Sequence, residues 1–318
     1  MSPITPPQNE KGRPMKLIAA GLTATFAILA SLPAQAQTAQ GTLDKVKASG
    51  KIVMGVRESS YPLSYLDDKQ APIGYHIDIC NKIVDAVKAK LAMPALKLEQ
   101  QPVTSQNRIP LVTNGTVDLE CGSTTNNEAR QKQVAFAPTT FVTNVRMAVK
   151  KASGINSIEQ LNGKPVATTT GTTSVQLIRA HKKGKSLELK EVYGKDHADS
   201  FLMLETDRAV AFIMDDNLLA GLIATSKTPD AYAIVGETLN IEPIAIMIRR
   251  DDAPFKALVD EAVNGMMKSG EISKLYAKWF TSPIPPKQAN LNFIMSPELV
   301  ALIKNPNDKP AESFNPKD

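Results

Sequence analysis

Short apolar runs alternate with longer amphipathic ones along most of this chain, and that alternation leaves few folds open. Residues 51–56 read as a strand, and a helix follows over about 77–91 with Ile79, Ile83, Val84 and Val87 on one face. A second strand at 96–102, a helix at 106–114 stopped by Gly115, and a third strand at 116–120 continue the series. Units of this kind with short connections build a mostly parallel sheet covered by helices. The strand at 140–151 has no helix after it. A second series begins at the capping-box spacing of Ser157 and Gln160. Its strands fall at 163–170, 187–193, 208–214 and 231–235, with helices opening near Thr173, Phe201 and Leu218. One more strand at 242–248 precedes amphipathic helices at 254–269 and 272–280, and Ser296-Pro297 starts a short helix. The proline-rich polar tail from Asn305 is expected to fray. The pattern predicts an α/β protein of two lobes, residues 41–145 plus 243–318 and residues 146–242.

The first 36 residues belong to no lobe. Lys16 and an apolar run from Leu17 to Leu32 precede Ala34-Gln35-Ala36, a small-residue cleavage signal. The run is shorter than the span of about 20 residues that crosses a bilayer, so residues 1–36 read as a cleaved signal peptide, with Met15 an alternative start. Position 37 is Gln, not Cys, which argues against a lipid anchor. The remainder is expected to be exported to the periplasm.

Compartment and charge exclude several classes of function. The formal net charge is +5, and Lys11, Arg13 and Lys16 against Glu10 account for two units of it. The rest is a mild excess without a long like-charge block, so no nucleic-acid partner is expected. Cys80 and Cys121 share an oxidising compartment, where a disulfide and two buried thiols are both open readings. His76, His181 and His197 have no ligand spacing, so neither a metal nor another cofactor is expected.

Polar clusters recur where parallel strands end, the usual ligand position in such sheets. They are Arg57-Glu58-Ser59-Ser60, the stretch from Ser105 to Arg108, and the turn from Ser123 to Arg130. In that turn Thr125 and Glu128 have capping-box spacing ahead of a helix that could run through Phe136. Hydroxyls, free N–H groups and a guanidinium together suit a carboxylate or phosphate.

These residues, with Lys195-Asp196-His197, Asp215-Asp216 and Pro306-Asn307-Asp308-Lys309, resemble bacterial solute-binding proteins of family 3. The likeness runs from about Thr42 to Lys309 and is to the branch that binds glutamate and aspartate for ATP-driven importers. It implies the two-lobed periplasmic-binding-protein fold (type II), with a cleft closed by hinge motion. By resemblance, Arg130 with Ser123 and Thr125 clamps an α-carboxylate, and Asp215 takes the α-ammonium, with Asp216 its open rival. Arg57, Ser105, Arg108 and His197 match the group around the side-chain carboxylate, and Thr173 matches a further contact. Three arginines against Asp215 sum to +2, one unit more than an acidic amino acid of net charge −1 cancels, and Glu58 or Glu120 is expected to offset it. The implied partners are L-glutamate or L-aspartate and a membrane permease of an ABC transporter, with the carrier a monomer and no enzyme. Because relatives include dehydratases, an enzyme on the same fold is the competing class, and a sensory binding protein a third.

Overall fold

The computed structural model describes residues 41–315; the expected signal peptide lies outside the described residues. Helix α1 (Thr42–Ser49) leads into the buried strand β1 (Lys51–Val56). Three short strands, β2 (Ser59–Ser60), β3 (Ser64–Leu66) and β4 (Pro72–Ile73), form a small antiparallel sheet beyond it. Then come α2 (Tyr75–Lys90), β5 (Lys97–Pro102), α3 (Arg108–Thr113), β6 (Leu119–Glu120), α4 (Glu128–Gln131) and β7 (Val134–Phe136). The second series holds β8 (Phe141–Lys150), β9 (Pro165–Thr169), α5 (Thr173–Gly184), β10 (Lys190–Gly194), α6 (His197–Glu205), β11 (Ala211–Asp215), α7 (Asp216–Thr225) and β12 (Tyr232–Ile244). Strand β13 (Met247–Arg249) and helices α8 (Ala253–Lys268), α9 (Glu271–Phe280) and α10 (Pro297–Lys304) complete the order.

Two five-stranded sheets result, β5-β1-β6-β13-β7 and β10-β9-β11-β8-β12. In each, three parallel strands are extended by antiparallel ones: β13 runs against β6 and β7, and β8 runs against β11 and β12. The chain passes between sheets twice, from β7 to β8 and from β12 to β13. The two passages lie side by side, joined by Ala137 N–H to Ile246 O and Thr140 N–H to Ile244 O. Two adjacent crossing segments thus connect the two sheets.

Burial explains most element choices. Tyr75, Ile79, Ile83 and Val87 line the inner face of α2 and pack with α8 and α9 in the largest core. Stacked rings of Phe141, Tyr276 and Phe280 anchor the first crossing strand there, with Phe141 and Phe280 centroids 4.8 Å apart. Trp279 is buried beside them and donates to Asp78 Oδ2 at 2.7 Å. Cys80 of α2 and Cys121 beyond β6 form a disulfide, with Cα atoms 6.3 Å apart.

Three local expectations change. The helix expected to reach Phe136 stops after four residues, because Val134 and Phe136 pair with Arg249 and Met247 of β13. The strands expected at 231–235 and 242–248 are divided differently: β12 runs through to Ile244 with a register shift between Val235 and Asn240, and β13 starts afresh. The tail is tied down: Asn315 bonds both backbone groups of Ile241, and Ala311 N–H donates to Asn126 O.

Candidate functional site

Every parallel strand delivers a polar group to its carboxyl end, and the two sheets aim these ends at one another. Arg57 follows β1, Ser105 and Arg108 follow β5, and the turn from Cys121 to Arg130 follows β6. From the other side, Thr173 follows β9, Asp196 and His197 follow β10, and Asp215 ends β11. All nine residues expected from the sequence are buried: Arg57, Ser105, Arg108, Ser123, Thr125, Arg130, Thr173, His197 and Asp215.

The turn after β6 is capped by Asn127, whose side chain accepts from Arg130 N–H at 2.9 Å; the expected Thr125–Glu128 capping box does not form. Thr125 Oγ1 instead donates to Glu242 Oε2. Gly122 is required here, since a Cβ would lie 2.1 Å from Glu120 Oε1 and 2.6 Å from Arg57 Cγ. His76 braces the same turn, with Nδ1 at the Gly122 carbonyl and Nε2 2.9 Å from Thr140 Oγ1.

The arginines are held by different partners. Arg57 Nη2 reaches Asp196 Oδ1 at 2.6 Å and His197 Nε2 at 3.3 Å, both on the opposite side of the cleft. Arg108 Nη1 donates to Ser123 O at 3.1 Å. Arg130 donates to Thr125 O at 2.9 Å and, across the cleft, to Gly171 O at 3.4 Å. Burial pushes the Arg108 guanidinium down to about 9; Arg130 and Arg57 add to this, while Glu120 and Asp215 oppose it. Arg130 is likewise lowered by burial against the pull of Glu242, Asp215 and Glu120. Arg57 Nε, Arg108 Nε, Ser105 Oγ and Asp215 Oδ1 are buried without a hydrogen-bond partner among the described residues.

The two adjacent acids part company. Asp216 accepts from Thr143 Oγ1 at 2.7 Å and from both nitrogens of Asn144, which binds it to β8. Asp215 sits in the cleft, its pKa raised well above the usual carboxylate range by burial, then by Glu242 and Asp216. Of the two acids expected to offset the arginines, Glu120 is fully buried beside them and Glu58 is exposed.

His197 is neutral here. Burial, then Arg57, takes it down to about 3 despite Asp196. A guanidinium only donates, so Nε2 facing Arg57 is an acceptor and the proton sits on Nδ1, 3.0 Å from Thr169 Oγ1. Among the described residues no group of three His, Cys, Asp or Glu is placed to hold a metal ion.

The profile of the bacterial extracellular solute-binding proteins, family 3, matches residues 52–282. The chain belongs to this family. It is 50% identical over 293 residues to the L-glutamate/L-aspartate-binding protein of Pseudomonas aeruginosa, covering 92% of this chain and 97% of that one. It is 49% identical over 281 residues to the glutamate/aspartate import solute-binding protein of Escherichia coli K12, covering 88% and 93%. Among solved structures, a mutant of the arginine-binding protein ArgBP from T. maritima superposes with a TM-score of 0.67 at 24% identity, covering 74% of this chain and 98% of that one. The fold is thus that of the type II periplasmic binding proteins.

Within this family 3 protein the sequence reading passed over three site residues. Glu242 is fully buried in β12, Asp196 pairs with Arg57, and His76 braces Gly122. For Glu242 a signal existed: a lone acid heading the apolar run Pro243–Ile248 has to find buried partners. Nothing in the spacing marked His76.

Proposed function

We propose that the protein is the periplasmic carrier of an ABC importer, binding L-glutamate or L-aspartate in the cleft and presenting it to a membrane permease. The observation that carries this reading is the convergence, at facing strand ends, of three buried guanidinium groups with Asp215, a buried acid whose Oδ1 has no hydrogen-bond partner among the described residues. An acidic amino acid has the complementary charges: two carboxylates for the arginines and an ammonium for the acid. The names of the half-identical relatives agree with it. Arg130, with Ser123, Thr125 and Thr173 around it, receives the α-amino-acid end, and Asp215 takes the ammonium. Arg57, Ser105 and Arg108 receive the distal carboxylate, and neutral His197 holds Arg57 in place. Residues 41–145 plus 243–318 and residues 146–242 move as two bodies about the crossing strands. The carrier acts as a monomer and transforms nothing.

Selectivity follows from burial. A glutamine amide would offer no anion to the unpartnered Nε edges of Arg57 and Arg108, and charged donors left unmatched inside a closed cleft cost several kcal/mol. Sites that demand such a group reject its absence by about 10⁴-fold. Glutamate and aspartate differ by one methylene, about 1–3 kcal/mol. Titration calorimetry with glutamate, aspartate, glutamine and leucine tests the reading. Tight binding confined to the acidic pair is expected, and glutamine binding as tightly as glutamate would overturn it.

A further inference from the structure

The crossing strand β12 carries a carboxylate that the reading above does not use. Glu242 is fully buried. Its Oε2 accepts from Thr125 Oγ1 at 2.5 Å on one side of the cleft and from Thr173 Oγ1 at 2.9 Å on the other. Its Oε1 accepts from Asn240 Nδ2 at 3.1 Å. Three donors converge on one acid, and both hydroxyls belong to residues of the proposed ligand site.

We infer that Glu242 is a positioning residue that fixes the polarity of this end of the cleft, an inference that rests on the amino-acid-binding reading. A threonine hydroxyl has a single proton. With that proton committed to Glu242, Thr125 Oγ1 offers only lone pairs to a ligand. It cannot clamp a carboxylate by donation, which leaves that group to the Arg130 guanidinium. It can accept from an ammonium, which has three N–H donors to place and finds only two acceptor oxygens on Asp215. Glu242 also acts electrostatically on Asp215, helping to hold its pKa above the usual carboxylate range. The hydroxyl is thus turned from an ambivalent group into a dedicated ammonium acceptor. That orientation selects an α-amino group at a position where a free hydroxyl would serve either charge.

A double-mutant cycle on glutamate affinity tests this, because a residue acting through Thr125 gives non-additive losses. Glu242→Leu and Thr125→Val should each weaken glutamate by about 10- to 100-fold, the range for hydrogen bonds to charged groups. The double variant should fall within about threefold of the weaker single variant. Losses that multiply, or a Glu242→Leu protein binding within about threefold of wild type, would overturn the role of Glu242. Should Glu242→Leu fail to fold, Glu242→Gln runs the same cycle. It keeps an acceptor oxygen for the hydroxyls, so it should lose less than about tenfold alone and nothing further beside Thr125→Val. Wild-type protein that binds neither glutamate nor aspartate would instead overturn the functional reading itself.

Discussion

Removing the link between Cys80 and Cys121 should cost this protein more stability than any single change at its surface. The crosslink spans 41 residues of sequence. Opening a loop of that size restores about 13 cal/mol/K of chain entropy to the unfolded state, or about 4 kcal/mol at 25 °C. Both cysteines are fully buried, so alanine at each position also leaves a sulfur-sized gap, adding about 1–2 kcal/mol. For a chain of this length each kcal/mol moves the melting temperature by about 2 °C. The Cys80→Ala/Cys121→Ala protein should therefore melt about 10 °C below oxidised wild type in a circular-dichroism scan. Wild type unfolded and refolded under reductant lacks only the crosslink, so it should fall between the two, about 8 °C down. The ligand end should respond as well, since Cys121 adjoins Gly122 and Ser123, and the variant should bind glutamate more weakly. A double-alanine protein melting within about 2 °C of oxidised wild type would refute the loop-entropy reasoning.

Other perturbations separate the parts of the site. Arg130→Met should weaken every amino-acid ligand, whereas Arg57→Met should chiefly erode the preference for acidic over amide side chains; parallel losses for glutamate and glutamine in both would end that division of labour. His197 and His76 are held neutral, at about 3 and about 4, while the unfolded chain protonates them near 6.5. The unfolded state thus binds more protons below that value, so their contribution is whole above pH 6.5 and fades as pH falls toward 3. Denaturant melts of His197→Gln against wild type between pH 7 and pH 4 should show the variant losing less on acidification. Gly171 has φ +82°, and a Cβ there would lie 2.7 Å from Gln106 Cα across the cleft. Gly171→Ala should hold the lobes apart, so small-angle scattering should show no compaction on adding glutamate.

What was legible in the sequence was local or periodic. Strand-and-helix alternation pointed to parallel sheets with polar clusters where strands end, and the family resemblance then named nine site positions. What escaped needed partners far along the chain. Glu242 meets Thr125 across 117 residues, and Asp196 meets Arg57 across 139. The Thr125–Glu128 capping spacing was a sound local signal, but Asn127 caps the turn and the Thr125 hydroxyl is drawn to a buried acid instead. The tail looked frayed by composition, yet the Asn315 side chain satisfies both backbone groups of Ile241 that would otherwise stay open at the edge of β12. Cysteine pairing was undecidable from spacing because it depends on how α2 lies beside β6.

Asp196 joins the two sides of the cleft without any ligand. Its carboxylate meets Arg57 Nη2 across the gap, while Arg130 to Gly171 O and Ala198 N–H to Ser59 Oγ add further contacts between the two sides. A ligand shifts the open–closed balance only by what it binds better in the closed form. A strong contact within the protein that favours closure therefore raises affinity but lowers contrast between the empty and filled states. Arg57 resolves the conflict by dividing its edges: Nη2 is spent on Asp196 and His197, and Nε remains without a protein partner. Replacing Asp196 by Asn keeps the shape and removes the charge. The empty protein should then open more, because Arg57 loses its anion, while bound glutamate supplies that anion and restores closure. The net change in glutamate affinity should stay within about tenfold, as loss of preformed closure offsets the stronger pull of an unshared guanidinium. Fluorescence transfer between labels on the two lobes should show a wider empty state and an unchanged filled one. An Asp196→Asn protein whose empty state is as closed as wild type would refute this role for Asp196.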